Sequence, residues 1–465
     1  MYSLYQWIFF AILLGFGLLY ILIGIKASRS IKTVEDYFLA GKNVGALPLT
    51  IALIAIHFGS GVVIGTSQAS YEAGLYGLLY VLGICIGFFI LAIGIAPRMY
   101  KLNVSTTASI FQTAFHSSLL QKIASGLSIF SLTGLLSGQI IGSRDLMISL
   151  QLYNPYIFVF FWATIIIYTM IGGLQAIIQN DIYQVAFIIV VFIGIFLYEV
   201  IAYTDVVTTI FTSEYMLPEV QSHTTTSLIS IILFPALYAF IEQDVAQQIF
   251  SARTYKTAIT GTLLTSIFMI FFATIPLYFG IKARFFDVTL PAGANPLLYI
   301  INMQYSPLIV AAVVYGIFAA IISTADSLLC AVSSNLIQDF GLDLKQEKRA
   351  IFLSKITTVI VGIVALVTSF YFTDILSVLI GSYEIPVVTI LIPLLVAYFN
   401  YNASKTGAYL SIIFGIGIFL APYRLQGIEI LALIGSAIGY IIGYAIDRMN
   451  KNLILSSDQN QKHTA

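Results

Sequence analysis

The stretch AAIISTADSLL, residues 319–329, sits inside a long apolar run yet carries three hydroxyls and a carboxyl. On a helix Ala320, Ser323, Thr324 and Ser327 fall at i, i+3, i+4 and i+7 and so share one face. That face offers hydroxyl oxygens and a carbonyl, hard ligands of the kind a small cation accepts when it sheds water. Sodium suits them better than a transition metal, because no thiolate or imidazole cluster accompanies them. The plainer alternative is hydroxyls bonded back to carbonyls of their own helix. Asp326 projects to the flank of the face, where pairing with a neighbouring helix fits better than binding an ion.

Two other apolar runs are interrupted near their middle. LIAIHFGSGVVIGTSQ brings His57, Gly59, Ser60, Gly61, Gly65 and Thr66 into apolar sequence, and LFPALYAFIEQDVAQQ brings Pro235, Glu242 and Asp244. Interrupted helices at corresponding positions of two halves point to a transporter site, since unwound carbonyls and half-helix ends can hold ions and solute. Close helix packing at glycine and a tolerated proline kink are the simpler reading. Glu384, in GSYEIPVV, is a further acid at depth. Ionisable groups in a bilayer are costly and usually face a cavity. Structural pairing, of His57 with one of the acids or of Arg144 with Asp145, would also satisfy them. If the acids do face a cavity, they suit a solute bearing an ammonium group, such as an amino acid or a quaternary amine.

The elements that must position these residues are membrane spans. The 465 residues are 59% hydrophobic and 9% charged, with a mean hydropathy of +0.97, which excludes a soluble globule of ordinary composition. A span needs about 20 apolar residues. Thirteen runs qualify, near 4–25, 46–70, 75–100, 120–147, 155–172, 176–201, 227–250, 257–281, 306–338, 350–371, 374–398, 406–422 and 427–446. The first exceeds a signal-peptide core and lacks a small-residue cleavage site, so it reads as a retained span. With the N-terminus outside, the inner loops and helix ends take all but four of the 21 Lys and Arg, the exceptions being Arg144, Lys282, Arg284 and Arg424. The loop 201–226 holds Asp205, Glu214 and Glu219 with no Lys or Arg. The positive-inside rule then gives N-out, C-in. No composition shift marks a second domain: one transmembrane transporter domain covers 1–448, with its core near 46–398, and 449–465 is a short, disordered cytoplasmic tail. Cys85 and Cys330 sit in apolar segments and read as packing residues. No basic, aromatic-interleaved run suggests nucleic acid as a partner.

In order along the chain, EDYFLAGKNVG (35–45), SGQIIGSR (137–144), GGLQAIIQNDIYQ (172–184), EQDVAQQIFSAR (242–253) and STADSLLCAVSSNLIQD (323–339) resemble the sodium/solute symporter family, which includes proline-, sugar- and carboxylate-carrying members. The resemblance implies an all-α integral membrane protein whose thirteen helices contain a five-plus-five inverted-repeat (LeuT-like) core, spans two to eleven. It implies a sodium site between core helices one and eight, built by position from the carbonyls of Ala55, Phe58 and Ala320 and the hydroxyls of Ser323 and Thr324. A register matched on GSG instead moves the first two carbonyls to Ile56 and Gly59. Asp181 matches an acid implicated in sodium passage, against an ordinary helix-end carboxylate. His57 stands where proline-carrying members have an acid, and Glu242 and Asp244 replace neutral residues near the sugar of sugar-carrying members, which disfavours sugar. The substrate candidates are His57, Ser60, Gln139, Glu242, Asp244 and Glu384.

The expected function is a secondary active transporter of a bacterial-type inner membrane. It couples inward sodium flow, sodium being the coupling ion, to uptake of a small organic solute, an amino acid or amine. Proton coupling through His57, the histidine within a core span, is one alternative. A transporter-like membrane sensor with a separate signalling partner is another. No nucleophile–base arrangement or cofactor fingerprint suggests an enzyme.

Overall fold

Inside hydrocarbon every backbone N–H and C=O has to be satisfied within the chain, so apolar runs of this length become helices. The computed structural model describes residues 4–212, 216, 225–290, 294–341, 346–371, 375–400, 403–421 and 427–463, with backbone only at 212, 225–228, 375–380 and 452–463. Glu214, Glu219 and Arg424 lie outside the described residues.

The helices run α1 (Leu4–Ser28), α2 (Val34–Leu39), α3 (Ala46–His57), α4 (Thr66–Ala73), α5 (Leu79–Ile90), α6 (Ala96–Leu102), α7 (Thr107–Phe115), α8 (Ser118–Ser149), α9 (Pro155–Ala202), α10 (Thr204–Thr212), α11 (Thr225–Tyr238), α12 (Gln243–Ser251), α13 (Tyr255–Phe285), α14 (Pro296–Gln304), α15 (Pro307–Asp339), α16 (Glu347–Tyr371), α17 (Ile375–Phe399), α18 (Lys405–Phe419) and α19 (Ile428–His463). Among the described residues nine helical runs are long and apolar enough to cross a bilayer, or ten if the bent pair α11–α12 is one span. Two shorter apolar helices, α3 and α18, fall below that length. The last helix continues through His463, where the sequence suggested a disordered tail. No Gly or Pro follows Gly443 to stop it.

Breaks fall where the sequence is least helical. α3 ends at His57, and a wide π turn, Gly61–Gly65, leads into α4. α11 and α12 meet at 42° across Ala239–Glu242. α9 is helical on both sides of Gly173, whose φ of 51° and ψ of −155° interrupt it. A Cβ at Gly173 would lie 2.4 Å from the Tyr37 carbonyl oxygen, so close approach of α2 as well as dihedral requires glycine.

α15 is the axis of the bundle: it is buried almost throughout and packs on α9, α8, α16, α1 and α3. The start of α3 and the end of α12 are joined by a two-bond backbone bridge, Val44 N–H to the Ser251 carbonyl at 3.0 Å and Arg253 N–H to the Val44 carbonyl at 2.9 Å. Elsewhere α9, α13 and the Tyr305 turn meet around an ion pair. Lys282 (2% exposed) reaches both oxygens of Glu199 (0%) at 2.6 Å. Tyr278 and Tyr305 also donate to Glu199, at 2.9 and 2.5 Å.

Candidate functional site

The hydroxyl face of α15 lies against the broken end of α3. Ser323 Oγ is 3.0 Å from the carbonyl oxygens of both Ala55 and Ala320. Thr324 Oγ1 is 2.9 Å from the Ile56 carbonyl, 3.1 Å from Ala320 and 3.4 Å from Ala55. The back-bonding to Ala320 that the plainer reading proposed is therefore present, but the same two oxygens also meet carbonyls across the helix gap. Each hydroxyl has one proton to give and faces two or three carbonyls, so the five oxygens gather negative potential at one point. A small monovalent cation fits that donor set.

Both readings of the register in α3 contribute. Ala55 belongs to the first and Ile56 to the second, and a Cβ on Gly59 would come 2.7 Å from Thr324 Oγ1. The hydrogen bonds of the two hydroxyls do not include the Phe58 carbonyl; the Phe58 ring stacks on Phe272 at 4.3 Å between centroids. Asp326 sits on the flank as expected, accepting from Tyr168 Oη at 2.6 Å. Asp181 is no surface helix-end carboxylate. It is fully buried on α9, and its oxygens, like the polar atoms of neighbouring Asn180 and Gln184, have no hydrogen-bond partner among the described residues.

Beside the hydroxyl pair lies a cavity of about 90 Å³ between the two broken helices. His57, Gln139, Glu242, Asp244 and Thr324 line it, so one wall is shared with the candidate ion site. His57 Nε2 is 3.5 Å from Glu242 Oε2, the pairing that the simpler reading anticipated; Arg144 likewise meets Asp145, at 3.3 Å. Ser60 lies behind the wall, donating through its backbone N–H and its hydroxyl to Gln139 Oε1 at 3.3 and 3.2 Å. Glu384 is not among the residues that line this cavity, which takes its neighbour Tyr383, because successive helical residues point about 100° apart. The sequence reading missed Tyr80, Tyr238 and Tyr383, which also line the space. With 29 tyrosines in the chain, residue type alone singles out none of them.

A discontinuous helix pair flanking a cavity, with a hydroxyl face beside it, is the arrangement of a secondary transporter. The profile of the Sodium:solute symporter family matches residues 37–415, and the chain belongs to that family. Its relatives include the high-affinity proline transporter PutP of Bacillus subtilis (strain 168), 23% identical over 75% of this chain and 77% of that one. They also include the sodium/sialic acid symporter SiaT of Proteus mirabilis (strain HI4320), 24% identical over 76% of each. Among solved structures, a substrate-bound, outward-open Na+-coupled sialic acid symporter superposes with a TM-score of 0.77 at 20% identity, covering 94% of this chain and 97% of that one. MhsT in complex with L-phenylalanine gives 0.54 at 16%, over 87% and 98%. These likenesses establish the LeuT-like fold. The protein is a sodium-coupled solute symporter of the membrane.

Proposed function

We propose that sodium binds between α3 and α15, on the carbonyls of Ala55, Ile56 and Ala320 and the hydroxyls of Ser323 and Thr324, with Phe58 at the turn that closes the site. The observation that carries this reading is the approach of both hydroxyls to carbonyls of the opposite helix. Sodium there stiffens the wall that the site shares with the cavity and favours the solute-binding arrangement. Linkage requires the solute to tighten sodium binding by the same factor. The ion then leaves toward the cytoplasm past Asp181, whose buried carboxylate, without a hydrogen-bond partner among the described residues, offers it a stop along α9.

The solute is a small organic molecule, an amino acid or amine, held in the cavity by His57, Gln139, Glu242 and Asp244, with Ser60 fixing Gln139. Thirteen spans result when α9 is divided at Gly173, α3 is joined to α4 and α11 to α12, and α18 is counted. The N-terminus is then outside and the C-terminus cytoplasmic, in a plasma membrane of bacterial type, and residues 1–448 make one transporter domain. Three of the four cations on the outer side are tied down by the protein, Arg144 by Asp145 and the Ser369 carbonyl, Lys282 by Glu199 and Arg284 by the Glu72 carbonyl, which supports that orientation.

Uptake into proteoliposomes under imposed gradients tests the coupling. A sodium gradient should drive accumulation, and Ser323→Ala with Thr324→Ala should abolish the sodium stimulation. Undiminished sodium dependence in that double variant, or uptake driven by a pH gradient in sodium-free buffer, would remove the assignment.

A further inference from the structure

The two acids of the cavity are not equivalent. Glu242 has a partner in His57, whose other ring nitrogen faces the Leu53 carbonyl at 3.4 Å. Asp244 has none among the described residues: it is 2% exposed, it lines the cavity, and neither carboxylate oxygen meets a side-chain donor there. It stands in the first turn of α12, where the helix N-terminus favours an anion without neutralising it. Tyr80, Tyr238 and Tyr383 line the same space, the last two with ring centroids 6.0 Å apart, and Ser131 holds the Tyr238 hydroxyl at 3.0 Å. Aromatic faces attract cations, most strongly where water is excluded. No Lys or Arg lines the cavity among the described residues, and the imidazole of His57 is engaged by Glu242, so a solute carboxylate would meet no uncommitted cationic side chain.

We propose that this symporter carries organic monocations, with the ammonium group docked on Asp244 between the tyrosine rings, in preference to zwitterionic amino acids or neutral solutes. The proposal rests on the symporter reading above and narrows its solute to one charge class. A buried acid without a counter-charge is costly in a membrane protein, and a cationic solute supplies the one positive charge missing from the cavity. Glu242 sets the orientation of His57, and Asp244 sets specificity.

The test uses purified full-length protein and an isosteric series: choline as the cation, glycine betaine as the zwitterion and 3,3-dimethylbutanol as the neutral analogue. Binding is measured in sodium buffer by calorimetry, alongside radioactive sodium binding to the same samples. Choline should bind and the other two should not compete with it. Asp244→Asn should weaken choline by about 30-fold or more, the scale for truncating one partner of a buried charge pair. Asp244→Glu should restore part of that loss, and sodium should still bind to both variants. Betaine or the alcohol binding as well as choline, no choline binding to the wild type, or choline binding indifferent to Asp244→Asn would each overturn the proposal while sodium binding persists. Absence of sodium binding in the wild-type protein would instead count against the symporter site itself.

Discussion

At the scale of single residues, the ion site depends on Gly59 as much as on its oxygens. A methyl group there would press on Thr324 Oγ1 at 2.7 Å and on Gln139 Oε1 at 3.2 Å, and either could yield only by giving up a bond to another segment, Thr324 to the Ile56 carbonyl and Gln139 to Ser60. Overpacking of this kind costs about 1–3 kcal/mol. Gly59→Ala should therefore weaken sodium binding by about 5- to 150-fold with the fold retained, as read by titrating sodium against uptake rate. An unchanged half-saturating sodium concentration would show that Thr324 is not a ligand. The hydroxyls were legible in the sequence because their spacing alone puts them on one face. Their carbonyl partners were not, since the register of α3 turns on where the helix unwinds, which one sequence leaves open between Phe58 and Gly61.

At the scale of elements, the interruptions do the positioning. Breaks in α3–α4 and α11–α12 were readable from Gly59, Gly61, Pro235 and the acids after it, and both are present. The acids themselves were only half readable: helical phase decides that Tyr383 rather than Glu384 reaches the cavity, and phase across a helix carrying Pro386 and Pro393 cannot be carried forward reliably. The sequence divided this region into spans 155–172 and 176–201, but it did not show that the backbone of Gly173 itself makes the break. Its positive φ together with the Tyr37 carbonyl 2.4 Å from a would-be Cβ predicts that Gly173→Ala destabilises the protein by about 1–3 kcal/mol. A lowered midpoint of thermal unfolding in detergent is the expected result; an unaltered midpoint would mean that α2 can move away freely.

At the scale of the whole molecule, the Glu199–Lys282 pair and its two tyrosines hold α9, α13 and the Tyr305 turn together. Removing one member of a buried pair leaves the other charge stranded and costs about 3–5 kcal/mol. Lys282→Met should lower thermal stability by that order, and adding Glu199→Gln should recover much of it, which a double-mutant cycle of unfolding midpoints measures. Additive losses would show that the pair is not coupled. Lys282 looked in the sequence like a stray outer cation, because pairing across 83 residues is invisible to any local pattern.

The seam between Val44 and Ala252 has a further implication. Its two bridging bonds are made by peptide groups, so they do not depend on which side chains the joined residues carry, although Arg253 Nε also donates to Asn43 Oδ1 at 2.7 Å beside them. Proline is the exception, because it lacks the N–H. A peptide bridge of this kind couples the two half-helices, so that α3 and α12 are held to one position at this end.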